Sequence, residues 1–184
     1  MIEKLIKKIA QHLDRQNIPY MIIGGQAVLV YGRPRLTRDI DITLGVDTDM
    51  FASIEQVCKE LKLRFLTENP QDFVRDTKVL PIEEPDSKVR VDFIFSSTLY
   101  EAQAIKNAKQ VLIDDHPVKF ASCEDVIILK MVAGRAIDEE DVKSILAKNR
   151  DTIDLVYIDK WLSEFGKITE HEGILARFDS LLKK

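Results

Sequence analysis

The stretch GGQAVLVYGRPRLTRDIDI, residues 24–42, carries the strongest prediction about the fold. It places two glycines ahead of a short apolar run and ends on two aspartates, Asp39 and Asp41, that flank one isoleucine. In a β-strand, residues two positions apart leave the same face, so these carboxylates lie side by side and repel each other. A divalent cation is the obvious group to offset that repulsion, and the spacing therefore indicates a metal site.

The two glycines, Gly24 and Gly25, end a predicted strand over residues 20–23 and open a short predicted helix. Backbone N–H groups at such a helix start, with no side chain in the way, can hold a phosphate group. The loop that follows is basic and could neutralise the phosphates of a nucleotide or an RNA through Arg33, Arg35 and Arg38. The stretch therefore combines a predicted phosphate cradle with a predicted metal site.

A third aspartate, Asp92, lies in the alternating strand pattern VRVDFIF, residues 89–95. An aspartate in so apolar a strand is costly unless it pairs with a cation such as Arg90 or binds a metal ion. If this strand lies beside residues 39–44, three carboxylates converge. Carboxylate oxygens suit Mg²⁺ or Mn²⁺, which complete their shell with water and substrate phosphates, so the set points to phosphoryl or nucleotidyl transfer.

Lys130 interrupts VIILKMVA, a helical run that is apolar on nearly every side. A lysine there either extends its ammonium group to the surface or meets an anion. Asp141 follows in the next predicted helix, for which Asp138 is the predicted N-cap, and Asp141 could serve only to cap that helix.

Composition bounds the class of protein. The 184 residues, 45% of them hydrophobic, suffice for one domain or for a domain with a helical appendage. A net charge of −4 argues against tight nonspecific binding to nucleic acid through overall charge, but leaves a local basic patch open. Cys58 and Cys123 have no metal-like spacing and are predicted to be free thiols. The N-terminal segment carries charges throughout, so we expect a cytoplasmic protein without a membrane span.

The hydrophobic periodicity predicts helix, strand, helix, strand, helix and then further strands, with only helices from about residue 122 onward. Residues 64–88, which contain three prolines, are predicted to form short strands. This order indicates an α+β fold with a mixed β-sheet core flanked by helices. We expect an α/β core over residues 1–121 and a C-terminal helical subdomain over residues 122–184.

Gly-Gly, a short helix, the Asp-Ile-Asp strand and a later strand aspartate together resemble the DNA polymerase β-type nucleotidyltransferase superfamily. The sequence is most similar to its bacterial AbiEii-like branch, which includes abortive-infection and toxin–antitoxin nucleotidyltransferases. There the first motif is followed by a strand of the type vDf and by a helical region resembling EDVIILKMVAGRAIDEEDVKSIL. The resemblance covers roughly residues 15–150 of this chain.

The resemblance implies a nucleotidyltransferase-like fold and a Mg²⁺-dependent enzyme that moves a nucleoside monophosphate from a nucleoside triphosphate to an acceptor hydroxyl. It assigns the triphosphate to Gly24, Gly25 and Lys130, beside which we expect Arg38 from the basic loop. Two Mg²⁺ or Mn²⁺ ions would be held by Asp39, Asp41 and Asp92. Asp92 would also help to deprotonate the acceptor, and Asp141 would lie nearby in a supporting role.

The acceptor and the exact class of activity stay open at this point. The acceptor could be a tRNA end or another RNA, a small molecule or a protein side chain, and the C-terminal helices would shape its site. The resemblance also implies the toxin of a toxin–antitoxin or abortive-infection system, with an antitoxin protein as partner. Two alternatives are a non-catalytic nucleotide-binding or toxin-partner module of the same fold, and a metal-dependent nuclease or phosphatase, which needs no Gly-Gly cradle.

Overall fold

The computed structural model describes residues 1–183, and the chain divides into two compact units. The first comprises residues 1–26 and 37–121, and the second comprises residues 27–36 together with the chain from Ser122 onward. The contacts thus group residues 27–36 with the C-terminal helices, whereas the sequence-based boundary at residue 121 leaves them in the core. That boundary stays a prediction about domains.

A mixed sheet forms the first unit, and within residues 1–183 it has seven strands. They are β1 (Tyr20–Ile23), β2 (Asp39–Leu44), β3 (Arg64–Phe65), β4 (Val79–Glu84), β5 (Val89–Phe95), β6 (Lys109–Ile113) and β7 (His116–Phe120). Their order across the sheet is β3-β4-β5-β2-β1-β7-β6. β2 runs parallel to β5 and β1 parallel to β7, while the other neighbours are antiparallel. The predicted α+β class with a mixed sheet is confirmed.

The central strands bury one row of apolar side chains completely, and the row on the other face is buried only in part. Ile22, Ile42, Phe93 and Leu80 are register neighbours across β1, β2, β5 and β4, and all four are fully buried. The next row, on the opposite face, consists of Ile23, Asp41, Asp92 and Pro81. Because side chains alternate along a strand, the buried first row fixes the register of the second.

Helices of the first unit are α1 (Ile2–Arg15), the first turn of α2 (Gly24–Tyr31), α3 (Phe51–Glu60), α4 (Pro70–Thr77) and α5 (Leu99–Asn107). The prediction of only short strands over residues 64–88 is wrong at α4. Proline is favoured in the first turn of a helix, and Pro70 occupies that place here. The helix buries only Val74, so it has too little apolar periodicity to be recognised in the sequence.

The second unit contains the rest of α2 with α6 (Cys123–Ala133), α7 (Ala136–Asn149), α8 (Leu155–Phe165) and α9 (Ile174–Leu182), and α6 packs against the other three C-terminal helices. Ser122 caps α6 by accepting a hydrogen bond from the backbone N–H of Asp125, and Gly134 ends it at φ +64°. The predicted start of α7 at Asp138 is wrong. Arg135 is the N-cap, and Asp138 is the third helical residue, whose carboxylate accepts the Arg135 N–H.

The short segment 27–36 is bound to α7 by several polar contacts. The Asn149 side-chain amide donates to the Tyr31 carbonyl over 2.9 Å, and the Arg33 N–H donates to Ser144 Oγ over 3.2 Å. The Arg35 guanidinium adds an ion pair with Asp141. These bonds explain why the segment groups with the C-terminal helices.

No helix within residues 1–183 combines the length and the apolar character needed to cross a membrane. Cys58 and Cys123 are both free thiols, as predicted. Burial raises the pKa of each thiol to about 12, so both are protonated at neutral pH.

Candidate active site

Gly24 lies directly against the Asp41 carboxylate. Its φ of +63° is in the left-handed region, where glycine is favoured over every other residue. A Cβ built on Gly24 would overlap the Asp41 carboxylate and lie 2.8 Å from its Cγ. Both the backbone conformation and the space available therefore require glycine at this position, and this makes Gly24 a structural partner of the predicted metal ligand.

The first turn of α2 is joined to the start of β2 by Gln26, a residue that was not predicted from the sequence. Gln26 Nε2 donates to the Asp39 carbonyl oxygen over 3.1 Å, and the side chain is 7% exposed. Gly25, beside it, is buried. The first N–H groups of a helix have no partner within the helix, so this turn presents the donors that the phosphate prediction needs. An amide in the otherwise apolar run GGQAVLVY was the available signal.

Three aspartates and one arginine form a two-by-two patch on β2 and β5. Asp39 lies opposite Arg90, and Asp41 lies opposite Asp92, so strand alternation places all four side chains on one face. Directly opposed residues on neighbouring strands have Cβ atoms about 5 Å apart. We call these four residues the β2–β5 patch. The Asp92 strand thus lies beside residues 39–44, a pairing that was only a condition of the prediction from the sequence.

Arg90 is the cation of the β2–β5 patch, and its Nε donates to Asp92 Oδ1 over 2.9 Å. This hydrogen bond raises the pKa of Arg90, and the charges of Asp92, Asp39 and Asp41 add to the effect although partial burial opposes it. The Asp92 side chain is 19% exposed and that of Arg90 is 51% exposed. Pairing with Arg90, which the sequence left open as an alternative to metal binding, is therefore present.

The patch brings the predicted metal ligands to one face, but it does not gather their oxygens. Among residues 1–183, no three His, Cys, Asp or Glu side chains form a cluster that could hold a metal ion. Asp92 is directed to Arg90, whereas Asp41 lies against Gly24. The donor set itself, three carboxylates, suits a hard divalent cation. Arg38, also predicted to act here, precedes β2 and is exposed.

Lys130 and Asp141 lie in the second unit, where they belong to a buried charge network. Lys130 is only 5% exposed, and its Nζ lies 2.8 Å from Asp138 Oδ1 and 2.8 Å from Asp141 Oδ2. Asp141 also accepts from Arg35, over 2.7 Å from Nε and 2.9 Å from Nη2. Asp138 accepts from Arg135 Nε over 2.6 Å. We call these five residues the α6–α7 network.

The α6–α7 network resolves two alternatives that the sequence left open. Lys130 does not extend its ammonium group to the surface. It meets anions instead, and these are two aspartates of α7. Asp141 does not cap its own helix, because its carboxylate binds Arg35 and Lys130 instead. Burial is the largest influence on the pKa of both aspartates and raises it, but hydrogen bonds from the cations outweigh burial and lower the pKa. Both carboxylates are therefore ionised at neutral pH.

A groove of about 680 Å³ lies in the second unit and is lined by both charged and apolar side chains. Its cations are Arg33, Arg35, Lys143 and Arg150, against the acidic Glu140, Asp141 and Asp151. Leucines of α7 and α9 form part of its apolar lining. The groove therefore has a small excess of positive charge in a chain whose net charge is −4.

Solved structures of nucleotidyltransferases have a similar fold. The antigenic nucleotidyltransferase-like protein from Paracoccidioides brasiliensis is 19% identical, with 98% of this chain and 91% of that chain covered and a TM-score of 0.58. The antibiotic-resistance factor ANT(2'')-Ia is 20% identical over 97% and 91% of the two chains, with a TM-score of 0.54. The lincosamide antibiotic adenylyltransferase LnuA is 16% identical over 72% and 89%, with a TM-score of 0.50. At these identities the likeness concerns the fold alone.

No curated protein sequence matches the chain. A family model does match, over residues 13–181, and it is described as "Nucleotidyl transferase AbiEii toxin, Type IV TA system". The match includes the β2–β5 patch, Gly24 and the α6–α7 network, and it confirms the resemblance drawn from the sequence. The chain belongs to the AbiEii nucleotidyltransferase toxin family, and it is a nucleotidyltransferase.

Proposed function

We propose that this nucleotidyltransferase transfers a nucleoside monophosphate from a nucleoside triphosphate to an acceptor hydroxyl and depends on Mg²⁺. The observation that carries the proposal is the β2–β5 patch, in which three aspartates share one face and Asp41 lies against Gly24 at the start of α2. Three aspartates and one arginine give the patch a formal charge of −2, which a divalent cation would offset.

Asp39, Asp41 and Asp92 would hold the divalent cations, which neutralise the triphosphate and lower the pKa of the attacking hydroxyl. In the reaction, the acceptor oxygen forms a bond to the α-phosphorus while the bond to the bridging oxygen of the β-phosphate breaks, and pyrophosphate leaves. The acceptor proton passes to the Asp92 carboxylate. The backbone N–H groups at Gly24 and Gly25, with the Arg38 guanidinium, bind phosphate oxygens.

Lys130 as a triphosphate contact and Asp141 as its support remain predictions. Lys130 would have to exchange one of its carboxylate partners for a phosphate oxygen, since both partners lie at hydrogen-bonding distance. A Lys130→Met variant that stays folded yet loses triphosphate binding supports this role. Unchanged binding restricts Lys130 to the α6–α7 network.

We propose that the groove of the second unit contributes to acceptor binding. Its four cations, Arg33, Arg35, Lys143 and Arg150, exceed its three acidic residues by one charge, which favours an acceptor that carries negative charge, such as an RNA end, over a polycationic small molecule. Arg33→Glu with Arg150→Glu is expected to reduce transfer to such an acceptor while triphosphate binding is kept. The family description also leads us to propose an antitoxin protein as a partner.

Calorimetric titration of each of the four nucleoside triphosphates tests the proposed nucleotide site without knowledge of the acceptor. We expect binding of at least one triphosphate that requires Mg²⁺ and is lost in Asp39→Asn. Asp86→Asn, an exposed aspartate in the turn between β4 and β5, is the matched control and should bind normally. Triphosphate binding that is the same without Mg²⁺ and in Asp39→Asn as in the wild type with Mg²⁺ would contradict the proposal.

If no triphosphate binds, either the acceptor must bind first or the site is vestigial. Titration of the metal ion alone then decides between these cases. Metal binding that Asp39→Asn removes shows an intact carboxylate site. Absence of metal binding favours the alternative of a non-catalytic nucleotide-binding or toxin-partner module.

A further inference from the structure

Arg90 occupies the fourth corner of the β2–β5 patch, where the mechanism proposed above gives it no task. It lies opposite Asp39 in the register and donates to Asp92 Oδ1 over 2.9 Å. The guanidinium therefore binds the carboxylate that the proposed function assigns to the catalytic metal ion. Its side chain is 51% exposed, so it is free to turn toward an incoming ligand.

The charges of the patch make Arg90 a competitor of the metal ions. Three aspartates and one arginine have a formal charge of −2, and the arginine already pairs with one carboxylate. A divalent cation bound by Asp92 Oδ1 would compete with that hydrogen bond, and one bound by either oxygen would lie close to a positive guanidinium, which is unfavourable. A triphosphate reverses the balance, because its oxygens offer the planar guanidinium a bidentate partner.

We propose that Arg90 is a positioning residue that couples metal binding to nucleotide binding. Without nucleotide, Arg90 holds Asp92 and weakens binding of the divalent cation. When a triphosphate binds, Arg90 pairs with a phosphate, and Asp92 is released to the metal ion. This inference rests on the proposed function, since it needs both the metal ions and the triphosphate at the patch.

The affinity for Mn²⁺, measured by electron paramagnetic resonance, tests the coupling without any turnover. The titration is run with and without a mixture of the four α,β-methylene triphosphates, for the wild type and Arg90→Gln. In the wild type we expect the nucleotides to tighten Mn²⁺ binding about tenfold. In Arg90→Gln we expect Mn²⁺ to bind about tenfold more tightly without nucleotide, and nucleotides to add little.

The sheet itself offers the control. Arg64 lies in the same row as Arg90, with Glu83 between them, and forms its own ion pair with Glu83 over 2.7 Å. Arg64→Gln removes an arginine of similar exposure but leaves the patch intact, so its Mn²⁺ affinities should equal those of the wild type. Arg90→Lys keeps the charge without the planar fork, and we expect its Mn²⁺ affinity to lie between those of the wild type and Arg90→Gln.

Equal Mn²⁺ affinities and equal nucleotide effects in the wild type and Arg90→Gln would overturn the inference while leaving the proposed function standing. If Arg90→Gln does not fold, the same comparison is made with Arg90→Lys, for which wild-type behaviour is the contrary result. Absence of Mn²⁺ binding to the wild type, even with nucleotide, would overturn the proposed function and the inference with it.

Discussion

The β2–β5 patch and the α6–α7 network are built from the same residue types but differ in how far their charges are balanced. The patch has three carboxylates for one cation and is partly exposed. The network has two carboxylates for three cations, and each carboxylate is hydrogen-bonded by two of them. Loss of a partner from a buried network of paired charges destabilises the fold, whereas a partly exposed patch with net negative charge is suited to bind cations.

Removal of the central cation of the α6–α7 network is expected to have the largest effect on stability. Lys130→Met leaves Asp138 and Asp141 without their shared partner at a buried position, which should lower the free energy of unfolding by about 3 kcal/mol. Urea denaturation measures this change. Lys167→Met, which removes an exposed ion pair with Glu164, is the control and should cost less than about 0.5 kcal/mol. Equal losses would mean that the network does not stabilise the second unit.

Substitution of Gly24 is expected to disturb the patch. Gly24→Ala meets a left-handed φ and overlaps the Asp41 carboxylate, so it should cost about 2 kcal/mol and weaken triphosphate binding. Gly173→Ala is the matched control, since Gly173 has φ +77° but no atom within 4 Å of an added Cβ. Its cost should be about 1 kcal/mol, from the backbone conformation alone. If both variants bind triphosphate normally, Gly24 has no role in the site.

Acid is expected to lower the free energy of unfolding more in the wild type than in Lys130→Met, which lacks the central cation of the α6–α7 network. The pKa values of Asp138 and Asp141 are lowered, because the hydrogen bonds of the cations outweigh the opposing effect of burial. With folded pKa values below the unfolded value of about 3.9, their contribution is present above about pH 4 and lost as the pH falls through the folded values. Urea titrations from pH 7 to pH 3 should show a steeper decline below pH 4 for the wild type than for Lys130→Met. Parallel curves would contradict this assignment.

The smallest change in stability is expected at Asp41. Asp41→Asn removes one of three like charges from the patch, so the free energy of unfolding should stay the same or rise by about 0.5 kcal/mol. Thermal denaturation measures this directly. A loss of several kcal/mol would show that Asp41 serves the fold rather than a ligand.

Much of the patch could be predicted because local periodicity determines it. The predicted bounds of β1 and β2, residues 20–23 and 39–44, agree with the structure, since strict alternation and the flanking glycines leave little choice. That β2 and β5 are neighbours was only a condition of the prediction, because two strands that each bury one apolar face do not determine which strands pair. Once the two strands pair, the shared face of the three aspartates follows from the spacing of single residues.

The remaining features depend on contacts between distant residues, which no local pattern encodes. Arg35 and Asp141 are 106 positions apart, and Gln26 reaches the Asp39 carbonyl across 13 positions. The pairing of Asp92 with Arg90 was predicted only as an alternative to metal binding. Arg90 lies two residues from Asp92 on the same face, so it competes with a metal ion for the Asp92 carboxylate. Side-chain partners are therefore harder to predict than strands.

The most direct test of the central claim is pyrophosphate release from labelled nucleoside triphosphates with Mg²⁺, with a cell extract as the source of acceptors. The account predicts release with transfer of label by the wild type, and at least about a 100-fold loss in Asp41→Asn at an unchanged melting temperature. Equal release by the two proteins would contradict the assignment of the β2–β5 patch as the catalytic site.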